Sequence, residues 1–240
     1  MRQGNGYVIV FAVIMTVVCG GLLAGVAVTL KPEHQRQELL NTQKKILSAA
    51  FGDEASGWDS KKIEEQYAAN VTGYVVNIDG EVLEGVNALT VDPRKQYKVK
   101  DKSKKRFPVF EVKDDVFPSK IGSIVLPVYG GGLWDNIWGF IALEADKNTV
   151  KGAVFEHKAE TPGLGARIAD DKVFQERFIG KKIKNEKNEI VSITVQKGEG
   201  NSYDDQPHKI DGLSGASMTT TGLNKMLSSY FMYYEKFLAK

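Results

Sequence analysis

The segment DGLSGASMTTTG, residues 211–222, sets Asp211 and five hydroxyl side chains around a Gly-Ala pair. An alcohol is a poor nucleophile without an adjacent base, and the segment contains no histidine. A serine hydrolase would present its nucleophile in a strained Gly-x-Ser-x-Gly turn. Ser214-Gly215-Ala216-Ser217 does not supply that pattern. An ordinary turn before a helix accounts for part of the segment. One of Thr219, Thr220 or Thr221 would then accept a hydrogen bond from an early helix N–H. That turn needs a single hydroxyl and leaves Asp211 and Ser214-Gly215-Ala216-Ser217 without a reason.

Other candidates for chemistry are weaker. Gly130-Gly131-Gly132 follows an extended run but lacks the lysine of a phosphate loop, and Gly163-Leu164-Gly165 lacks the third glycine of a dinucleotide fingerprint. His34, His157 and His208 are far apart, with no HExxH and no cysteine nearby, so the reading assigns no metal site. The single cysteine, Cys19, has no disulfide or CxxC partner. It lies in an apolar run, and the preceding Thr16-Val17-Val18 is a poor match to a lipid-attachment signal. The net charge of +2 is too small for a phosphate-neutralising nucleic-acid binder.

The elements that must position these residues begin in the membrane. Residues 7–30, YVIVFAVIMTVVCGGLLAGVAVTL, carry no charge, and about 20 apolar residues suffice to span a bilayer. A cleaved signal peptide would have a shorter apolar core, so the reading is a retained anchor after a short tail at 1–6. Charges on either side are too balanced to orient it by the positive-inside rule. A short tail before a first span commonly stays inside, which sends the remainder of the chain outward. Residues 31–69 read as a helical stalk or linker. It comprises EHQRQELLNTQKKILSAAF, ended by Gly52, and a second helix over 60–69 capped by Ser60.

From residue 70 the period changes. Residues 71–83 read as a hairpin turning at Asp79-Gly80. Residues 97–99, 107–112, 123–129, 138–144, 149–157 and 190–196 read as extended, and 176–178 as part of a helix after Asp170-Asp171. Leu223, Leu227, Tyr230, Phe231, Tyr234 and Phe237 share one face of a C-terminal helix that docks on a core. Strands and helices fall in blocks without a βαβ rhythm. The expected fold is therefore α+β, mostly antiparallel sheet with packed helices, preceded by a single transmembrane helix.

Asp211, two variable residues, Ser214, Gly215, Ala216 and Ser217 resemble the flavinylation motif of the covalent-FMN-binding domain family. Glu160-Thr161-Pro162-Gly163-Leu164-Gly165 matches the ETPGLG signature. GLWDNIWGFIALEADKNTVKGAVFEHKAETPGLG, Phe178-Ile179-Gly180-Lys181-Lys182 and the single span resemble the C-subunit family of the sodium-translocating NADH:quinone oxidoreductase. The resemblance is dense from about Ile121 to Leu227 and thin between Trp58 and Lys120.

It implies a covalent FMN-binding domain over 70–240, with FMN joined by a phosphoester to Ser217, where most members carry threonine. A separate flavin transferase would do that chemistry, recognising Asp211, Ser214, Gly215, Ala216 and Ser217, so no local base is needed. A helix N-terminus at the turn also favours a phosphate. The isoalloxazine would lie between Trp134 and Leu164, with Thr161 and Gly165 offering hydrogen bonds and close approach and Glu160 orienting the loop. The function implied is an electron-carrier subunit, relaying electrons one at a time among the other membrane subunits and completing no reaction alone. It would sit in the bacterial inner membrane with the FMN domain on the periplasmic side. Two alternatives stand beside it: the equivalent subunit of the related ferredoxin:NAD oxidoreductase, and an anchored binding module without flavin.

Overall fold

The computed structural model describes residues 4–113 and 121–240; of the N-terminal tail, residues 1–3 lie outside them. Helix α1 (Asn5–Phe51) takes in the whole uncharged run and continues through Pro32. Among the described residues it is the one helix long and apolar enough to cross a membrane, and its most apolar stretch is not buried by protein. Its side chains there suit lipid rather than water. Gly52, with φ of 61°, ends it.

Residues 42–240 form one compact unit, which starts inside the stretch assigned to the stalk. After the single turn α2 (Asp53–Ser56) comes α3 (Ser60–Asn70). Its cap is Asp59, one residue before the expected Ser60, because the Asp59 carboxylate accepts from the Lys62 N–H at 2.8 Å. Strand β1 (Val71–Val76) follows. The second strand expected in this hairpin is reduced to a Val76–Val82 bridge. Residues 97–99, expected to be extended, overlap the short helix α4 (Pro93–Lys98) instead. Asp92 caps it and Pro93 occupies its first turn, where a missing N–H costs nothing.

Strands β2 (Phe107–Lys113), β3 (Ile121–Gly131), β4 (Asn136–Glu144) and β5 (Val150–His157) complete an antiparallel meander in the order β1-β2-β3-β4-β5. Then come two short helices, α5 (Arg167–Asp170) and α6 (Lys172–Glu176). Phe178, expected in a helix, lies just past α6. A two-stranded parallel pair of β6 (Thr194–Val195) and β7 (Lys209–Ile210) precedes the final helix α7 (Ser217–Leu238). The strand expected over 190–196 shrinks to two residues because Ser192 has a φ of 64°, outside strand geometry.

Both faces of the five-stranded sheet are buried by alternate residues. Val109, Ile124, Leu126, Ile137 and Ile141 lie in one cluster with Leu223, Leu227, Phe231 and Tyr234 of α7. Phe110, Val125, Phe140 and Ala142 point the other way, into a cluster with Ile46, Ala49 and Ala50 from the end of α1. The architecture is α+β, a sheet between helices, as expected. The C-terminal helix is the docking helix its apolar stripe predicts, and its first residue is Ser217.

Candidate functional site

Ser217 opens α7 and is exposed. Ala216 precedes it at φ −112° and ψ 19°, and no side chain caps the helix. The expected threonine cap is therefore absent. All three threonines lie inside α7, so their hydroxyls find other acceptors. Thr220 gives its hydroxyl to the Ala216 carbonyl at 3.1 Å and Thr221 to the Ser217 carbonyl at 2.8 Å. Thr219 gives its hydroxyl to Glu160 at 2.5 Å. The first turn of α7 is left without a side-chain acceptor, and such a turn attracts anions.

The turn ahead of Ser217 rests on the ETPGLG loop. Gly215 has φ of 75°, and a Cβ there would meet Leu164 Cδ2 at 2.5 Å. The angle favours glycine, and a Cβ there would also push the Leu164 side chain aside. Leu164 itself keeps 44% of its surface exposed. Trp134 is 69% exposed, so it is not a core residue. Its indole N–H donates to the Thr161 hydroxyl at 3.1 Å, which ties the tryptophan to the same loop. Trp138, four residues on, is half-buried and stacks on Tyr129 at 6.2 Å between ring centroids.

Glu160 is buried and organises both segments. One carboxylate oxygen accepts from the N–H groups of Leu133 at 2.9 Å and Trp134 at 3.0 Å. The other takes the Thr219 hydroxyl. Its own N–H donates to His157 Nδ1 at 3.3 Å. Burial alone would raise the Glu160 carboxyl, but the Thr219 hydroxyl and the N–H groups of Trp134, Leu133 and Asp135 outweigh it and hold the group below its ordinary range. Gly165, buried beneath, lies so close to Glu160 and Thr219 that a side chain there would strike both.

Asp211 is buried too. Its carboxylate accepts from the Gly200 N–H at 2.6 Å and the Asn201 N–H at 3.2 Å, with Arg177 at 3.7 Å. In the folded chain this residue shapes the loop before the turn. Ser214 is exposed, and its N–H donates to Glu199 at 3.0 Å. Arg167, just after the ETPGLG loop, grips Glu199 with two bonds of 2.6 and 2.9 Å. The Arg167 guanidinium, the Ser214 N–H and the nearby Arg177 bring the Glu199 carboxyl down to about 2.

Direct contacts link Trp134 to Glu160 and Thr161, Glu160 to Thr219, Gly165 to both Glu160 and Thr219, and Leu164 to Gly215; Ser214, Ala216 and Ser217 adjoin them along the chain, with Asp211 holding the approach. Thr219, Arg167 and Glu199 are the supports that sequence reasoning missed. Thr219 lies on the apolar stripe with Leu223 and Leu227, and a hydroxyl on a buried face needs a partner. No comparable signal marks Arg167 or Glu199. What the site offers is an exposed alcohol at an uncapped helix start beside two exposed apolar surfaces. Among the described residues no acidic or basic side chain is hydrogen-bonded to that alcohol, so it can be modified but is not activated to attack.

Comparison with known proteins locates this assembly. The FMN-binding domain family matches residues 132–231. The chain is 34% identical to the C subunit of the Na(+)-translocating NADH-quinone reductase of Haemophilus ducreyi, over 91% of this chain and 86% of that protein. It is 30% identical to the protein of the same name from Pseudomonas aeruginosa, over 94% and 91% respectively. The crystal structure of the C subunit of this reductase from Parabacteroides distasonis superposes with a TM-score of 0.75 at 32% identity, covering 88% of this chain and 98% of that one. Shewanella oneidensis NqrC superposes with a TM-score of 0.73 at 28% identity, covering 85% and 97%.

Proposed function

Because the chain belongs to the C-subunit family of the Na(+)-translocating NADH-quinone reductase, we propose that it is that complex's membrane-anchored FMN subunit. Its FMN would be bound through a phosphoester to Ser217. The relatives carry the sodium-pump name, which favours this reading over the ferredoxin:NAD alternative. The matched FMN-binding domain weighs against a flavin-free module.

The residues present fit the group. Ser217 supplies an accessible alcohol, and the uncapped start of α7 suits the phosphate beside it. Trp134 and Leu164 supply exposed apolar surfaces for a flat ring. Thr161 and Gly165 border it, and Glu160 fixes the loop that carries Trp134. FMN supplies reversible electron transfer when bound, and the protein supplies position and electrostatics. The chain performs no complete reaction by itself. It would carry electrons one at a time between centres on partner subunits. The anchor α1 would hold it at the inner membrane with the FMN domain on the periplasmic side. A flavin transferase would make the attachment, since among the described residues no acidic or basic side chain is hydrogen-bonded to the Ser217 hydroxyl. Asp211 would serve that enzyme through the loop it shapes.

The observation that carries the reading is the exposed Ser217 hydroxyl, two residues from Gly215, whose backbone lies against Leu164. Mass spectrometry of the tryptic peptide containing Ser217, after co-expression with a flavin transferase, tests it. The expected mass gain is one FMN less one water, lost in Ser217→Ala and kept in Thr219→Ala. A modification that persists in Ser217→Ala overturns the assignment.

A further inference from the structure

We propose that Thr219 is a positioning residue, whose hydroxyl, held by Glu160, fixes the Ser217 end of α7 against the loop that carries Trp134. A single carboxylate joins two segments remote in sequence. One oxygen takes the N–H groups of Leu133 and Trp134 at 2.9 and 3.0 Å, the other the Thr219 hydroxyl at 2.5 Å. Thr219 is two residues beyond Ser217, in the same helical turn. Both clamp residues are buried, Thr219 at 1% exposure and Glu160 at 3%. The Thr219 hydroxyl is cut off from water, so it stays unpaired if it loses its acceptor, while the Leu133 and Trp134 bonds are part-buried.

Hydrogen bonds to an ionised carboxylate are short and strongly directional. Three of them from rigid backbone and a β-branched side chain therefore define a distance, where looser apolar packing would tolerate sliding. The surroundings are cut to fit: a side chain at Gly132 or Gly165 would collide with the carboxylate. Thr220 and Thr221 are no substitutes, because their hydroxyls turn back onto α7 itself. The bearing of the clamp on a flavin rests on the function proposed above; the clamp itself does not.

Hydrogen–deuterium exchange on the full chain in detergent, without flavin, tests the clamp directly. In Thr219→Val, near in shape but without the hydroxyl, amides in the peptide covering 132–136 should exchange about tenfold faster. Thr219→Ser should restore the native rate. Thr220→Val, which removes a buried hydroxyl bonded only within α7, should leave that peptide unchanged. Thr219→Ala carries the same expectation if the valine variant does not fold. Native protection of 132–136 in Thr219→Val or Thr219→Ala would overturn the clamp.

In chains loaded with FMN by co-expression, Thr219→Val should keep the attachment but lose about half of the flavin's visible circular dichroism, and Thr219→Ser should regain it. An unaltered signal overturns the positioning of the ring. Should wild-type chain take up no flavin at all, the proposed function fails, and the exchange measurement still decides the clamp.

Discussion

Glu160 is buried and draws its donors from neutral groups, the backbone N–H groups of Leu133, Trp134 and Asp135 and the Thr219 hydroxyl. Glu199, on the opposite flank of the Ser214–Ser217 turn, is gripped by the guanidinium of Arg167, with Arg177 at 3.7 Å, and its side chain keeps 24% of its surface exposed. Each carboxylate immobilises one wall of the same site. The first does so by hydrogen bonds from neutral donors to a buried carboxylate, the second by charge at the solvent boundary. On the proposed function, the wall against which the ring would lie needs fixed geometry, whereas the turn that a modifying enzyme would reach tolerates a weaker, adjustable hold.

The largest effect that sharpens this contrast is expected from Glu160→Ala. It strands the Thr219 hydroxyl and the N–H groups of Leu133 and Trp134, and should destabilise the fold by about 3 kcal/mol in urea denaturation. The loss should be the same at low and high salt. A strongly salt-dependent loss would mean that the two carboxylates work alike.

Glu199→Gln should cost less, about 1 kcal/mol, and the difference from wild type should shrink as salt is added. Acid separates the two forms further. Glu199 is lowered from 4.5 to about 2, so the folded chain holds fewer protons than the unfolded chain between those values. The stability it contributes is complete above the upper value and fades as pH falls toward the lower one. The Glu199→Gln variant should lose less stability across that window. Glu160, also held low, keeps a residual slope of the same sign in both proteins. Identical acid profiles for variant and wild type would remove the charge-based account of this flank.

The smallest stability change is expected from Trp134→Ala. The side chain is mostly exposed and makes one hydrogen bond, so stability should move by no more than about 0.5 kcal/mol. The flavin ester should remain while its midpoint potential shifts in a redox titration. An unmoved potential would take Trp134 out of the cofactor site.

The candidate site residues came from the resemblance of the 211–217 and 160–165 segments to the FMN-binding family, and the local signal beside it was the cluster of hydroxyls around Gly215 and Ala216. The strands were legible too, since 107–112, 123–129 and 138–144 are short runs rich in branched and aromatic apolar residues. Misreadings came where a local competitor won. Asp92 and Pro93 nucleate a helix across residues read as extended, and the backbone at Ser192 breaks an alternating run. The supports of the site were hidden for a different reason. Arg167 meets Glu199 across 32 residues, and Glu160 meets Thr219 across 59. Pairings over such separations leave no periodic trace, and only the burial of Thr219 on an apolar stripe hinted at one of them.

Helix α7 closes one face of the sheet and also begins with the alcohol proposed for attachment. Its residues follow those of all five strands in the chain, whereas the strands pair with sequence neighbours and need only earlier residues. A nascent or truncated chain ending before residue 217 lacks both the seal on the core and the place for the cofactor. Sealing of the core and presentation of the alcohol therefore coincide, and the attachment proposed at Ser217 would be open only to a chain whose sheet is already covered.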